Sequence, residues 1–172
     1  MPPRALVAFP RVADAPAWAR VLSARGRFDP LVHLVPPHLT LVFPFEDTLS
    51  DAALDEHVLG VVARQRSFAV TLQGITAHED EYLFLNVKRG NDELIQLHDA
   101  LYRGVLAAHR SRRRTFVPHV TIGRVARHEL EGALAATAEL ASEIHATVES
   151  VSMLCVEADQ VRQVFESALQ SP

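Results

Sequence analysis

One five-residue frame occurs twice in this chain. Pro37-His38-Leu39-Thr40-Leu41 and Pro118-His119-Val120-Thr121-Ile122 both read proline, histidine, aliphatic, threonine, aliphatic. Each lies in a β-branched and apolar run, so each reads as a strand. Strand side chains alternate, so His and Thr two residues apart project from one face while the aliphatic residues point to the other, into a core. Two such strands facing each other offer two imidazoles and two hydroxyls to one ligand. A core does not require this frame, because Leu, Val or Ile would fill the same positions without burying an imidazole.

The rest of the chain supplies the supports. Ala5 to Phe9 reads as a first strand ended by Pro10. Asp14 caps a helix to Arg25, with Pro16 in its first turn and Gly26 ending it. Trp18, Val21 and Leu22 make an apolar stripe on that helix, so Trp18 reads as core. A connection broken by Pro30, Pro36 and Pro37 leads to the first motif strand, His38 to Phe43, stopped by Pro44. Ser50 begins a helix to about Arg66. Phe68 to Leu72, broken at Gly74, and Tyr82 to Val87 read as a β pair around an acidic loop. Asn91 caps a helix through His109, with Leu94, Leu97, Leu101 and Val105 in helical period. The second motif strand ends near Arg124. A helix from Arg127 to Glu143 follows, then strands Thr147 to Glu157 and Arg162 to Ala168.

A loose repeat emerges: a proline-preceded His/Thr strand, a helix and a further strand, twice over. No linker divides the halves. The expectation is a single α+β domain over residues 1–172. It is bilobal, with pseudo-two-fold symmetry and two antiparallel-rich sheets flanked by helices around a central cleft.

Bulk properties narrow the function. A chain of 172 residues, nearly half hydrophobic, can bury a core without cross-links. Its net charge of −4 argues against a broad basic face for coating nucleic acid. Cys155 is the only cysteine, which leaves no internal disulfide and no cysteine metal cluster. A reducing, cytoplasmic location follows as an expectation, with no signal peptide or membrane span in view. Gly-rich phosphate loops are absent, which argues against an ATP-dependent ligase.

The paired motifs suit phosphodiester chemistry. Hydrolysis needs water activated on one side of phosphorus and a proton delivered to the leaving sugar oxygen on the other. Two imidazoles titrating near neutrality can do both, one neutral and one protonated. Threonine hydroxyls can hold the non-bridging oxygens. Symmetry leaves open which of His38 and His119 is base and which is acid. A zinc site built on the same two histidines lacks a third ligand at metal spacing. A module that binds a nucleotide or RNA end without turnover is the competing class.

These residues carry a resemblance. Pro37 to Phe45 and Pro118 to Arg124, with the order of elements between them, resemble the two-histidine phosphoesterase superfamily. That superfamily includes the 2′-5′ RNA ligase-like proteins and RNA 2′,3′-cyclic phosphodiesterases. The resemblance implies a bilobal fold, no metal or other cofactor, and a nucleotide or RNA-end phosphate as substrate. By motif match, His38 and His119 are the expected catalytic pair, and Thr40 and Thr121 their phosphate-binding partners. Phe43 and Arg124 fall at equivalent places after the two histidines.

Outside the motifs the reading thins. Tyr82 and Phe116 are the aromatic residues favoured for stacking a base; Phe43, Phe45 and Phe84 are weighed as mostly core. His33, His57, His78, His98, His109, His128 and His145 carry no paired spacing and read as ordinary residues. The basic run Arg110 to Arg114 reads as a solvated loop with a minority role in steering phosphate. No obligatory protein partner is evident.

Overall fold

The computed structural model describes residues 2–46, 48–79, 81–111 and 115–171. Their nine strands form one antiparallel sheet. In chain order they are β1 (Arg4–Ala8), β2 (Arg11–Val12), β3 (Leu39–Phe45), β4 (Phe68–His78), β5 (Tyr82–Arg89), β6 (His119–Arg124), β7 (Ile144–Val148), β8 (Ser150–Val156) and β9 (Val161–Ala168). The helices are α1 (Ala15–Phe28), α2 (Asp51–Val62), α3 (Asn91–Leu101) and α4 (Leu130–Ala136). The spatial order is β2-β7-β4-β5-β6-β3-β1-β8-β9, so the two motif strands lie side by side at the centre.

The two lobes share this sheet through a narrow seam. β3 and β6 meet at the pair Leu39–Val120. On one side stand β6, β5, β4, β7 and β2; on the other stand β3, β1, β8 and β9. The repeat is therefore strand–helix–strand: β1-α1-β3 corresponds to β5-α3-β6. The helices cross over, with α1 packed on β6 and α3 on β3. Leu39, Leu41, Val120 and Ile122 are buried in the common core with Val21 of α1 and Leu97 and Leu101 of α3.

The lobes share a second feature. β3 pairs with β1 at Val7–Thr40 and then Leu6–Val42, so Leu41 is an extra residue in β3. β6 pairs with β5 at Phe84–Thr121 and then Leu83–Gly123, so Ile122 is an extra residue in β6. Each motif strand thus carries a bulge directly after its threonine. A bulge bends its strand and re-aims the residues beyond it. Gly123 thereby shares a face with buried Leu83, and Arg124 shares one with Tyr82.

Several sequence boundaries shift, each for a local reason. Gly26 lies within α1, which ends at Phe28, where Asp29 caps it and pairs with buried Arg25. Pro44 lies within β3 rather than stopping it. Gly74, at φ +74°, sits in a bulge that β4 runs through to His78. The cap of α3 is Gly90, not Asn91; a β-carbon there would lie 2.7 Å from the Ala69 carbonyl oxygen. α2 stops at Val62, and α3 at Leu101 before a 3-10 turn, Gly104–His109. The segment read as one helix from Arg127 to Glu143 is α4 between two 3-10 turns, and the strand from Thr147 is split between β7 and β8.

Candidate active site

The seam pair fixes where the motif side chains stand. With Leu39 opposite Val120 in an antiparallel pair, the register sets His38 across from Thr121 and Thr40 across from His119. All four share the face opposite the core, since Leu39 and Val120 are buried on the other. Each imidazole is therefore diagonal to the other and beside a hydroxyl. The four side chains are half-buried, neither sealed in nor fully exposed.

Both rings are held the same way. Nδ1 of His38 donates to the Pro36 carbonyl at 2.8 Å, and Nδ1 of His119 donates to the Val117 carbonyl at 2.6 Å. A carbonyl only accepts, so the proton sits on Nδ1 and the lone pair on Nε2. Each motif proline lies between histidine and acceptor, fixing φ and pushing the preceding residue to extended geometry. The proline in the frame thus orients the ring two residues after the acceptor.

The two imidazoles differ in their surroundings. His119 stacks face to face on Phe84, with ring centroids 3.4 Å apart, and His78 stacks on the far side of Phe84 at 4.8 Å. Burial pushes the His119 pKa down to about 4, helped by the nearby His78 and His38 and opposed by the Val117 hydrogen bond. His38 instead meets Phe9 edge-on at 6.2 Å. Burial also lowers its pKa; the Pro36 bond opposes this, Arg25 adds to it and Asp29 opposes it.

A recess of about 400 Å³ opens beside His119, lined by Thr40, Thr121, Phe43, Tyr82, Phe84 and His78 among others. Tyr82 is held beneath the Arg124 guanidinium, 5.4 Å from the ring centroid, while Arg124 donates to Glu81 at 2.7 and 2.9 Å. Phe116 stands in an adjoining recess, stacked on His98 at 3.8 Å. Of the basic run, Arg112 to Arg114 fall outside the described residues, and Arg110 is paired with Asp99. Among the described residues, His, Cys, Asp and Glu form no group of three able to hold a metal ion.

Sequence reasoning read His78 and His98 as ordinary residues and Phe84 as mostly core. The expected end of the strand at Gly74 hid the first: only when β4 runs on to His78 does its pairing with Tyr82 bring that imidazole over the recess. His98 is buried and donates from Nδ1 to the Leu41 carbonyl at 2.7 Å; one turn later, Tyr102 Oη accepts from the Phe43 amide at 3.0 Å. These contacts brace β3 at its bulge, where the β3–β6 ladder has opened.

The comparisons with known proteins bear on family and fold. The family model described as the 2′-5′ RNA ligase superfamily matches residues 13–160. The chain belongs to that superfamily. A Bacillus licheniformis protein whose name assigns it to the phosphoesterases is 33% identical over 111 residues, 59% of this chain and 60% of that relative. The match thus spans about three fifths of the relative's length. Among solved structures, apo Escherichia coli LigT matches with a TM-score of 0.60 at 19% identity over 98% of both chains. TT0787 of Thermus thermophilus matches with a TM-score of 0.66 at 14% identity, again over 98% of both. Usb1 of Kluyveromyces marxianus matches at 0.54 and 15% identity, over 94% of this chain and 97% of that one. These structural likenesses establish the two-lobed fold of this superfamily member. None of its described helices is long and apolar enough to cross a membrane.

Proposed function

We propose that this chain is a metal-independent phosphodiesterase acting on a 2′,3′-cyclic or 2′-5′ linked nucleotide or RNA-end phosphodiester. One observation carries the reading: two imidazoles, each with Nδ1 tied to the carbonyl two residues back, diagonal across the Leu39–Val120 pair with a threonine beside each. Solved complexes of relatives with the same fold support a nucleotide ligand. LigT has been solved with 3′-AMP and with ATP, and Usb1 with uridine monophosphate.

His119 is the base in this scheme. Its pKa of about 4 leaves Nε2 unprotonated at neutral pH. It takes the proton of a water as that oxygen bonds to phosphorus. The bond from phosphorus to the leaving sugar oxygen breaks, and that oxygen takes its proton from the His38 imidazolium. The phosphate's negative charge favours the protonated form of His38 once substrate is bound. Thr40 and Thr121 donate to the non-bridging oxygens as charge develops there. Tyr82, lining the recess, offers a face to the base, and Phe116, stacked on His98, lines the adjoining recess.

The test is turnover of a panel of 2′,3′-cyclic nucleotides, 2′-5′ linked dinucleotides and short cyclic-phosphate RNAs with chelator present. Hydrolysis that chelator leaves intact and that His38→Ala and His119→Ala each lower by roughly 10²–10⁴ in kcat is the expected result. Saturable binding without turnover would leave a binding module, and chelator-sensitive turnover would point to a metal.

A further inference from the structure

A second recess of about 410 Å³ adjoins Pro36 and Pro37, the two residues directly before His38. Its wall includes Phe9, Trp18, Val35, Leu154, Val161 and Gln163, with Pro36 and Pro37 completing the side nearest the motif. Strand register puts this recess on the catalytic face. Thr40 is paired with Val7, two residues from Phe9; Val7 is paired with Ser152, two residues from Leu154; and Leu154 is paired with Gln163. Paired and alternate residues share a face, so Thr40, Phe9, Leu154 and Gln163 all look the same way.

His38 stands next to the second recess through two of that recess's lining residues. Its ring meets Phe9 edge-on, and the Pro36 carbonyl that orients it belongs to a residue lining the second recess. The two recesses differ in chemistry. The His119 side offers hydroxyls, imidazoles and Glu79. Among the described residues, no charged one lines the second recess, which holds two aromatic rings with one amide. An anion gains nothing there, whereas a neutral, flat heterocycle gains stacking on the rings and a polar partner in Gln163.

We infer that this recess is a subsite for the base of the leaving nucleoside, so that the preferred substrate is a linear diester joining two nucleosides. The inference rests on the two-histidine phosphodiesterase reading. The leaving oxygen takes its proton from His38, and the nucleoside attached to that oxygen extends past His38 into the adjoining recess.

Trp18 is the only tryptophan in the chain, so its emission reports this recess directly. The experiment compares a 2′-5′ linked adenylyl-adenosine with the 2′-methyl phosphodiester of adenosine, which keeps the phosphate and lacks the second base. Base stacking predicts a kcat/KM preference for the dinucleoside of about tenfold or more. That ratio should fall toward one in Val161→Asp, which sets a carboxylate where the base would lie, and in Phe9→Ala. Trp18 emission should be quenched by the dinucleoside in the wild type and not in Val161→Asp. A wild-type ratio near one, a ratio that both variants leave unchanged, or Trp18 emission that is silent to the dinucleoside would overturn the subsite. If neither ester is hydrolysed, the reaction reading fails separately; quenching that Val161→Asp abolishes would still establish the recess as a base-binding site.

Discussion

Leu39 and Val120 face each other as the pair at which β3 and β6 meet. Two core residues thereby set the position of four polar ones, because register on one face of an antiparallel pair dictates the other. Directly beyond them both strands bulge, at Leu41 and Ile122, and the ladder gives way to contacts from α3.

The pH dependence should be acidic. The base must be neutral and the acid charged. Both imidazole pKa values are lowered by burial, that of His119 to about 4 and that of His38 below the ordinary 6.5, so kcat/KM of the free enzyme should be bell-shaped with its optimum below pH 6.5. His119→Ala should remove the rising limb and His38→Ala the falling one, each with a loss of roughly 10²–10⁴ in kcat. A kcat/KM optimum above pH 7.5 would contradict the assignment.

Phe84 holds His119 away from water, so Phe84→Leu should shift the rising limb upward. Replacing the stacked ring with a smaller aliphatic chain readmits solvent to the imidazole, and hydration favours its charged form. NMR titration of His119 in the wild type and variant measures this directly. An unchanged pKa would mean that burial by Phe84 is not the cause.

Gly123→Ala should destabilise the protein. A β-carbon at this position would collide with the Phe28 carbonyl at the end of α1. Backbone, not a flexible side chain, is the obstacle, so α1 must shift off β6. A loss of about 1–3 kcal/mol in denaturant unfolding is expected. The equivalent substitution at Gly132, where nothing lies within 4 Å, serves as the control.

His98→Leu should loosen β3 and reduce acid sensitivity. The variant loses the bond to the Leu41 carbonyl and the stack on Phe116, a cost of about 0.5–1.5 kcal/mol for the hydrogen bond. Burial depresses the His98 pKa in the native state, so the unfolded chain binds more protons as pH falls below the ordinary 6.5. The stability of the neutral ring is full above 6.5 and lost as pH falls through the lowered native value. Thermal midpoints at pH 7.5 and 5 should therefore lie closer together in His98→Leu than in the wild type.

The sequence by itself determined the paired frame. Proline, histidine and threonine at fixed spacing dictate a strand, a shared face and an anchored ring, all of them local consequences of backbone sterics and strand period. It also determined the two-lobed α+β class, because the frame recurs with helices and strands in the same order. Tertiary structure decided what surrounds the frame. Which aromatic ring stacks on which imidazole depends on pairing between β5 and β6, and no spacing within either strand encodes it. His78 reaches the recess because β4 tolerates a bulge at Gly74, and Phe116 turns to His98 because α3 crosses onto β3. The difference between His38 and His119 is likewise tertiary. Two near-identical pentapeptides acquire different surroundings: Phe84 covers one ring face to face, while Phe9 meets the other only by its edge.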